Sequence, residues 1–504
     1  MRLLLLASLV SLLGGCPSRS DGRFCSPTVP CKDPAYPYCD SVTSECESSP
    51  IGGEVDLSMQ PIDGDLAMPV QPDMATALPD LTEVIPPDLT PMCVSSATCV
   101  VPTAPFCDGA TGTCRGCTNN SECGAANPVC NSDGSCRKCT ASSECQSGVC
   151  DLRGAGSIGS VTQGQCAAVG DIVYVDNNSS TTAKCDKRDG SPAKPYCQVS
   201  DAIGALGGKA FIAVAGSATN YDPWSYTSAS NLTVQLSGPG RNASSPATLL
   251  APSGQNAVNL TPGNNAVINL SVDGLVFSGA SDHTAFYAEA NHSANGSSIV
   301  LTIRNSLIKG GINGMRILSA TFSMSESIVQ GSTGTGVNGD GVSIEGTTNW
   351  VLQNNIIAQS GTMGVYIETT TGTGSFKFNT VALNGATGNS GGVDCGKATT
   401  LESSIVAANT QSTTGTQFLR SCSLDHTVTG TDSIGNTGKL SGDPVFRLTS
   451  GTADLRLEVT VPANVTANRA CCIDKVSTST NTLDVERNAR PIGASFDVGA
   501  DEAL

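Results

Sequence analysis

An eight-residue block that returns along the C-terminal half constrains this chain more than any other feature. Its copies begin at Val272 (VDGLVFSG), Ile303 (IRNSLIKG), Met324 (MSESIVQG), Leu352 (LQNNIIAQ), Phe378 (FNTVALNG) and Leu401 (LESSIVAA), with a weaker seventh at Leu424 (LDHTVTGT). The starts lie 31, 21, 28, 26, 23 and 23 residues apart. Repeats of this length are single supersecondary units that bury their apolar faces only by stacking, which makes a solenoid. A strand enters each block, as the alternation of Ile299, Leu301 and Ile303 shows, and another leaves it, as at Ile356 and Ile357. A third follows a glycine at Gly314-Met315-Arg316-Ile317, Gly341-Val342-Ser343-Ile344, Gly364-Val365-Tyr366-Ile367 and Gly392-Val393-Asp394-Cys395. Apolar residues two apart point to one face of a strand.

The expected fold is therefore mainly β, a parallel β-helix with three strands per coil. Asn305, Ser306, Asn354, Asn355, Ser403 and Ser404 fill the bends, where side-chain amides and hydroxyls can bond along the stack. Adjacent coils lie about 4.8 Å apart, so eight to ten of them span roughly 40–50 Å. Aromatics make up only 4% of the chain, which suits thin repeated layers better than one large aromatic core. An alternating strand at Gly170 to Val175, a short amphipathic helix within Tyr196 to Leu206 and a strand at Ala210 to Val214 form the expected N-terminal cap. Cys185 and Cys197 bracket a polar loop there, and Cys395 and Cys422, about one coil apart, fall within disulfide reach.

The N-terminus reads as an export signal. Met1 and Arg2 precede an apolar run of 11 residues, Leu3 to Leu13, too short for the roughly 20 residues of a spanning helix. The sequence Leu13-Gly14-Gly15-Cys16 resembles the bacterial lipobox, and the resemblance implies lipidation of Cys16 after removal of residues 1–15. Pro17 in place of aspartate implies, by the same resemblance, the outer membrane. The expected location is the outer membrane or cell surface, held by lipid and facing an oxidising space. Of the 23 cysteines, 22 remain once Cys16 is set aside, an even number.

Those cysteines form four-cysteine units. Cys25, Cys31, Cys39 and Cys46 (residues 16–46) have spacings of 5, 7 and 6, repeated by Cys93, Cys99, Cys107 and Cys114. Cys117, Cys123, Cys130 and Cys136, then Cys139, Cys145, Cys150 and Cys166, complete three units over residues 93–168. Each is too small to bury a core, so covalent staples must hold it. Cys114-x-x-Cys117 and Cys136-x-x-Cys139 have zinc-ligand spacing, but both pairs arise where one unit meets the next. Disulfides are expected, with the connectivity open. The units resemble small disulfide-rich repeats near the N-termini of some bacterial surface proteins, and loosely the cysteine-rich region of Dickkopf proteins. Between the first unit and the rest, residues 47–92 hold nine acidic residues, no Lys or Arg, and many prolines. Such a stretch stays disordered and extended, a spacer reaching at most about 140 Å.

The tail carries the most specific resemblance. Asp443-Pro444-Val445-Phe446, Asp454-Leu455-Arg456-Leu457, Cys472-Ile473-Asp474, Arg490-Pro491 and Asp497-Val498-Gly499-Ala500-Asp501-Glu502 resemble the closing segment of choice-of-anchor bacterial β-helix proteins. The resemblance implies a right-handed, pectin-lyase-like β-helix over residues 169–446, closed by residues 447–504. The anchoring tail often seen in that group does not follow Leu504, and the N-terminal lipid is expected to stand in for it. Cys471 and Cys472 would form a vicinal disulfide or pair separately.

The formal charge of −17 argues against nucleic acid, which needs a basic face. Polyanionic sugar is repelled as well unless a divalent cation such as calcium bridges it; no other cofactor and no metal site is expected. Asp340, in Asn338-Gly339-Asp340-Gly341, and Asp394, on a later coil, are the weak catalytic candidates. The paired aspartates of polygalacturonases are missing, and Asp340 reads first as a turn residue. His283 beside Asp282 and His426 beside Asp425 read as solvated pairs, and Trp224 and Trp350 as the broad platforms available to a sugar. The expected function is a lipid-anchored surface binding or structural protein, its partner a polysaccharide or another surface protein. The alternative is a polysaccharide lyase or glycoside hydrolase working in a groove of the β-helix.

Overall fold

The computed structural model describes residues 38–39, 46–47 and, between 93 and 502, all but 94, 102, 154–162, 179–187, 291–295, 336–337, 347–348, 369–371, 386–390, 411–417, 431–438, 441, 449–453 and 480–482. The signal segment, Cys16, Cys25, Cys31, the acidic spacer beyond Glu47 and Cys185 lie outside the described residues. The chain divides into two units, Met1–Ile85 and Pro86–Leu504. In the first, Tyr38–Cys39 pairs antiparallel with Cys46–Glu47.

The second unit contains the expected parallel β-helix. Its first face stacks strands such as Leu232–Ser237, Val267–Asp273, Ser298–Arg304, Thr321–Ser325, Trp350–Gln353 and Gly374–Lys377. The second stacks Thr248–Leu250, Val276–Gly279, Leu307–Gly310, Ile328–Gln330, Ile356–Ala358, Thr380–Ala382 and Ile405–Ala407. The third stacks Trp224–Tyr226, Val258–Leu260, Phe286–Glu289, Met315–Leu318, Val342–Glu345 and Val365–Glu368. The long strand Val393–Glu402 ends one coil and begins the next, joining third and first faces in one 16-stranded sheet.

The block spans the corner from first to second face. Register places Leu236, Val272, Ile303, Met324, Leu352, Phe376 and Leu401 in one inward column. The fifth copy therefore starts at Phe376, two residues before the Phe378 chosen from sequence. With that register the third residue of every copy lies in the left-handed region: Gly274, Asn305, Glu326, Asn354, Phe378, Ser403 and His426. The eighth does so at Gly310, Gly331, Gln359, Leu383 and Ala408. Each copy is thus a short strand between two sharp bends.

The corner's fourth residue points inward and builds a ladder. Asn355 N–H donates to Asn379 Oδ1 (3.0 Å), and Asn379 N–H to Ser404 Oγ (3.1 Å). Asn379 Nδ2 donates to the Leu352 carbonyl (2.8 Å). Asn379 is fully buried, because the two-residue shift of the fifth copy puts it at the inward fourth position. Lys377 holds the outward place, against Glu402 (2.7 Å). Trp224 and Trp350 are core residues, 2% and 3% exposed, and offer no platform to a sugar. Gly374 lies opposite Trp350, where a Cβ would come within 2.0 Å of the indole ring.

Each described cysteine unit closes on itself, first cysteine to third and second to fourth: Cys93–Cys107 and Cys99–Cys114, Cys117–Cys130 and Cys123–Cys136, Cys139–Cys150 and Cys145–Cys166. The two Cys-x-x-Cys pairs therefore belong to different bonds and leave no zinc set. Cys395–Cys422 links adjacent rungs, Cys471–Cys472 is vicinal and buried, and Cys197 is also disulfide-bonded. So many disulfides indicate an oxidising extracellular or periplasmic setting. Among the described residues no helix is long and apolar enough to cross a membrane.

Candidate functional site

Two of the three outer surfaces are covered, at least in part, by the chain itself. The last cysteine unit lies on the first face, where Gln235 accepts from Leu152 N–H (2.9 Å) and donates to the Cys150 carbonyl (2.6 Å). Arg153 there stacks over Phe211, 4.3 Å from the ring centre. The C-terminal segment runs along the outer side of the second face. Ile356, Ala358, Ala382, Ile405 and Ala407 point away from the coil interior yet are buried, in one cluster with Phe446, Leu455, Leu457, Val485 and Val498. That is why these strands lack the usual in–out alternation. The segment is tied to this flank by hydrogen bonds: Gly499 N–H donates to the Ser403 carbonyl (2.9 Å) and Ala500 N–H to Thr380 Oγ1 (3.0 Å).

The third face keeps much of its outer side in solvent, although Ser343 and Asp394 on it are only 2% and 7% exposed. Register aligns Ser225, Asn259, Tyr287, Arg316, Ser343, Tyr366 and Asp394 in one outward column. Glu289, Leu318, Glu345 and Glu368 form the column beside it. A tyrosine followed two residues later by a glutamate occurs twice. The Tyr287 hydroxyl donates to Glu289, and the Tyr366 hydroxyl to Glu368. Burial, then the Glu289 carboxylate, pushes the Tyr287 phenol up to about 12. Between the two pairs Arg316 forks onto Glu345, Nε at 3.0 Å and Nη2 at 3.3 Å, and the hydrogen bonds with Glu345 raise the guanidinium further. Ser343 also donates to Glu345 (2.8 Å).

Asp340 opens the strand at Val342. It is 7% exposed, and its Oδ1 accepts from Thr362 Oγ1 (2.7 Å) and Met363 N–H (3.3 Å). Asn313 Oδ1 holds the Gly339 and Asp340 amides (2.7 and 3.0 Å). Burial pushes the Asp340 carboxyl up to about 6 against those hydrogen bonds, and the charges of Glu345 and Asp394 add to the rise. Asp394, also 7% exposed, lies two rungs further on, about 10 Å along the stack. The two aspartates named from sequence thus share one face, and Asp340 is a buried carboxyl rather than a solvated turn. The histidines fit the bland reading: His426 sits 2.6 Å from Asp425 and His283 3.5 Å from Asp282, all four well exposed.

Sequence reasoning did not single out a second acidic group. Asp484, Glu486 and Asp501 bring carboxylate oxygens within 4.8 Å of one another within the C-terminal segment. Burial, then the neighbouring acids, raises both Glu486 and Asp501, whose side chains are hydrogen-bonded to each other. All-oxygen donors are what calcium takes, but Arg241 stands beside Glu486 and donates to the Val485 carbonyl. The group reads as part of the clasp that holds the segment to the coils.

No family model matches the chain, and no curated protein does. In the comparison with solved structures the chain is similar to the crystal structure of pectate lyase Pel9A, at a TM-score of 0.33 and 12% identity, over 66% of this chain and 96% of that one. The parallel β-helix described above rests on the strand pairing itself.

Proposed function

We propose that this protein is a lipid-anchored surface protein that binds an extended glycan along the third face of its β-helix. The lipid at Cys16 and the spacer of residues 47–92 would carry the rod away from an outer membrane. The observation that carries the reading is the partly exposed outward row of Tyr287, Arg316 and Tyr366, flanked by Glu289, Glu345 and Glu368. Tyrosine offers a flat apolar body with a polar tip, and carboxylates and hydroxyls accept and donate to sugar hydroxyls. One rung is on the scale of one sugar ring, and the tyrosine returns three rungs along, so a straight polymer meets it again about three residues on.

The test is a glycan microarray probed with the chain and with a Tyr287→Ala/Tyr366→Ala variant. Binding that the double variant loses supports the reading; signal equal in both, or no glycan bound, rejects it. Release of Cys16→Ser protein from membranes tests the anchor separately.

A second reading, cleavage of the bound polymer, is favoured by Asp340. A buried carboxyl held near 6 beside other carboxylates is suited to general acid work. New reducing or unsaturated ends that vanish with Asp340→Asn would establish it.

A further inference from the structure

The charge on the open face is lopsided. The strands of the third face from Trp224–Tyr226 to the start of Val393–Glu402 carry three carboxylates that reach solvent, Glu289, Glu345 and Glu368, a buried fourth, Asp394, and one cation, Arg316. That cation is taken by Glu345 in a fork of two hydrogen bonds. A polymer laid along the column therefore meets net negative potential, and the whole chain, at −17, reinforces it. The acids are also placed beside rings. Each tyrosine hydroxyl of the two Tyr-x-Glu pairs fixes its glutamate next to the phenol, so an apolar surface and an anion are offered together, and the same device returns three rungs along.

We infer, resting on the glycan-binding reading above, that the third face selects a polysaccharide of amino sugars with free amines. Rings about three residues apart in the polymer pack their apolar sides on Tyr287 and Tyr366, and their ammonium groups meet Glu289 and Glu368. A uronic-acid polymer brings carboxylates to carboxylates and is repelled. A neutral sugar gains the stacking but not the charge. A lysine-rich peptide matches the sign, but its charges sit on long mobile stems, and ordering each costs side-chain entropy that a rigid sugar amine avoids.

The full chain is titrated calorimetrically with glucosamine oligomers, N-acetylglucosamine oligomers of the same length, polygalacturonate with and without calcium, and a lysine-rich peptide. Glucosamine oligomers are expected to bind tightest and to weaken as salt rises, since the charges are partly exposed. Glu289→Gln and Glu368→Gln are each expected to weaken them up to about fivefold, with an unchanged melting temperature showing that the fold is kept. Acetylated oligomers binding as well as free amines, or insensitivity to both glutamine variants, overturns the inference while leaving glycan binding standing. Tighter binding of the peptide, or of polygalacturonate in calcium, overturns it in favour of a basic protein or a cation-bridged acid. Failure of every sugar overturns both this inference and the reading beneath it.

Discussion

At the scale of single residues, Asp340 shows how far context changes chemistry. The sequence around it reads as a glycine-rich turn, yet Thr362 and Met363, on the next coil, receive its carboxylate and close it off from water. Its pKa in the folded chain is raised to about 6, against about 4 unfolded. A carboxyl raised by folding binds its proton more tightly in the native state. It therefore contributes stability that is full below pH about 4 and lost as pH rises through about 6, on the order of 3 kcal/mol. Asp340→Asn is expected to flatten the dependence of melting temperature on pH between those values; an unchanged slope would show that the carboxyl titrates normally. Burial of this kind could not be read locally, because the residues that shield Asp340 lie more than twenty positions away.

At the scale of elements, the repeated block is a corner before it is a strand. Two left-handed residues bound a short strand, and an inward Ser or Asn after the first bend bonds to its counterpart on the next coil. Glycine or asparagine at some corners was visible in sequence. Glu326, Phe378 and Leu383 were not, since left-handed backbone costs a residue with Cβ about 1–2 kcal/mol and is rarely expected there. Phe378 has a use in that position: its ring lies 4.8 Å under the Arg490 guanidinium. Arg490 is itself a buried clamp, with Nε 2.7 Å from Glu502 and the two side chains 0% and 1% exposed. It also donates to Asn354 Oδ1 (3.3 Å) and to the carbonyls of Gly499 and Asp501 (2.9 and 3.0 Å). Arg490→Ala strands the Glu502 charge in the interior and is expected to cost about 3–5 kcal/mol by chemical denaturation. Arg490→Lys should not restore it, because an ammonium cannot span the same partners. A loss below about 1 kcal/mol would mean that water or another side chain replaces the guanidinium.

At the scale of the molecule, the appendages decide which surfaces remain. The C-terminal segment covers an apolar strip of the second face, and the last cysteine unit covers the start of the first. Truncation after Gly442 uncovers Ile356, Ala358, Ala382, Ile405 and Ala407 together, the kind of contiguous patch that drives association. The truncated chain is expected to bind an apolar dye and to self-associate on gel filtration while its far-ultraviolet circular dichroism still reports β structure. A monodisperse, dye-silent product would show that the segment only decorates the coils. By itself the sequence determined the three-strand coil, the apolar alternation of its strands, the cysteine units and the one-coil spacing of Cys395 and Cys422, because alternation and spacing are local and repeat. Only the tertiary structure decided the register of the fifth copy, the pairing within the units, the burial of both tryptophans and the openness of the third face. Those depend on contacts between distant positions, such as Arg487 with Thr140, 347 residues apart, or Arg241 with Val485, 244 apart, and no local periodicity carries such a signal.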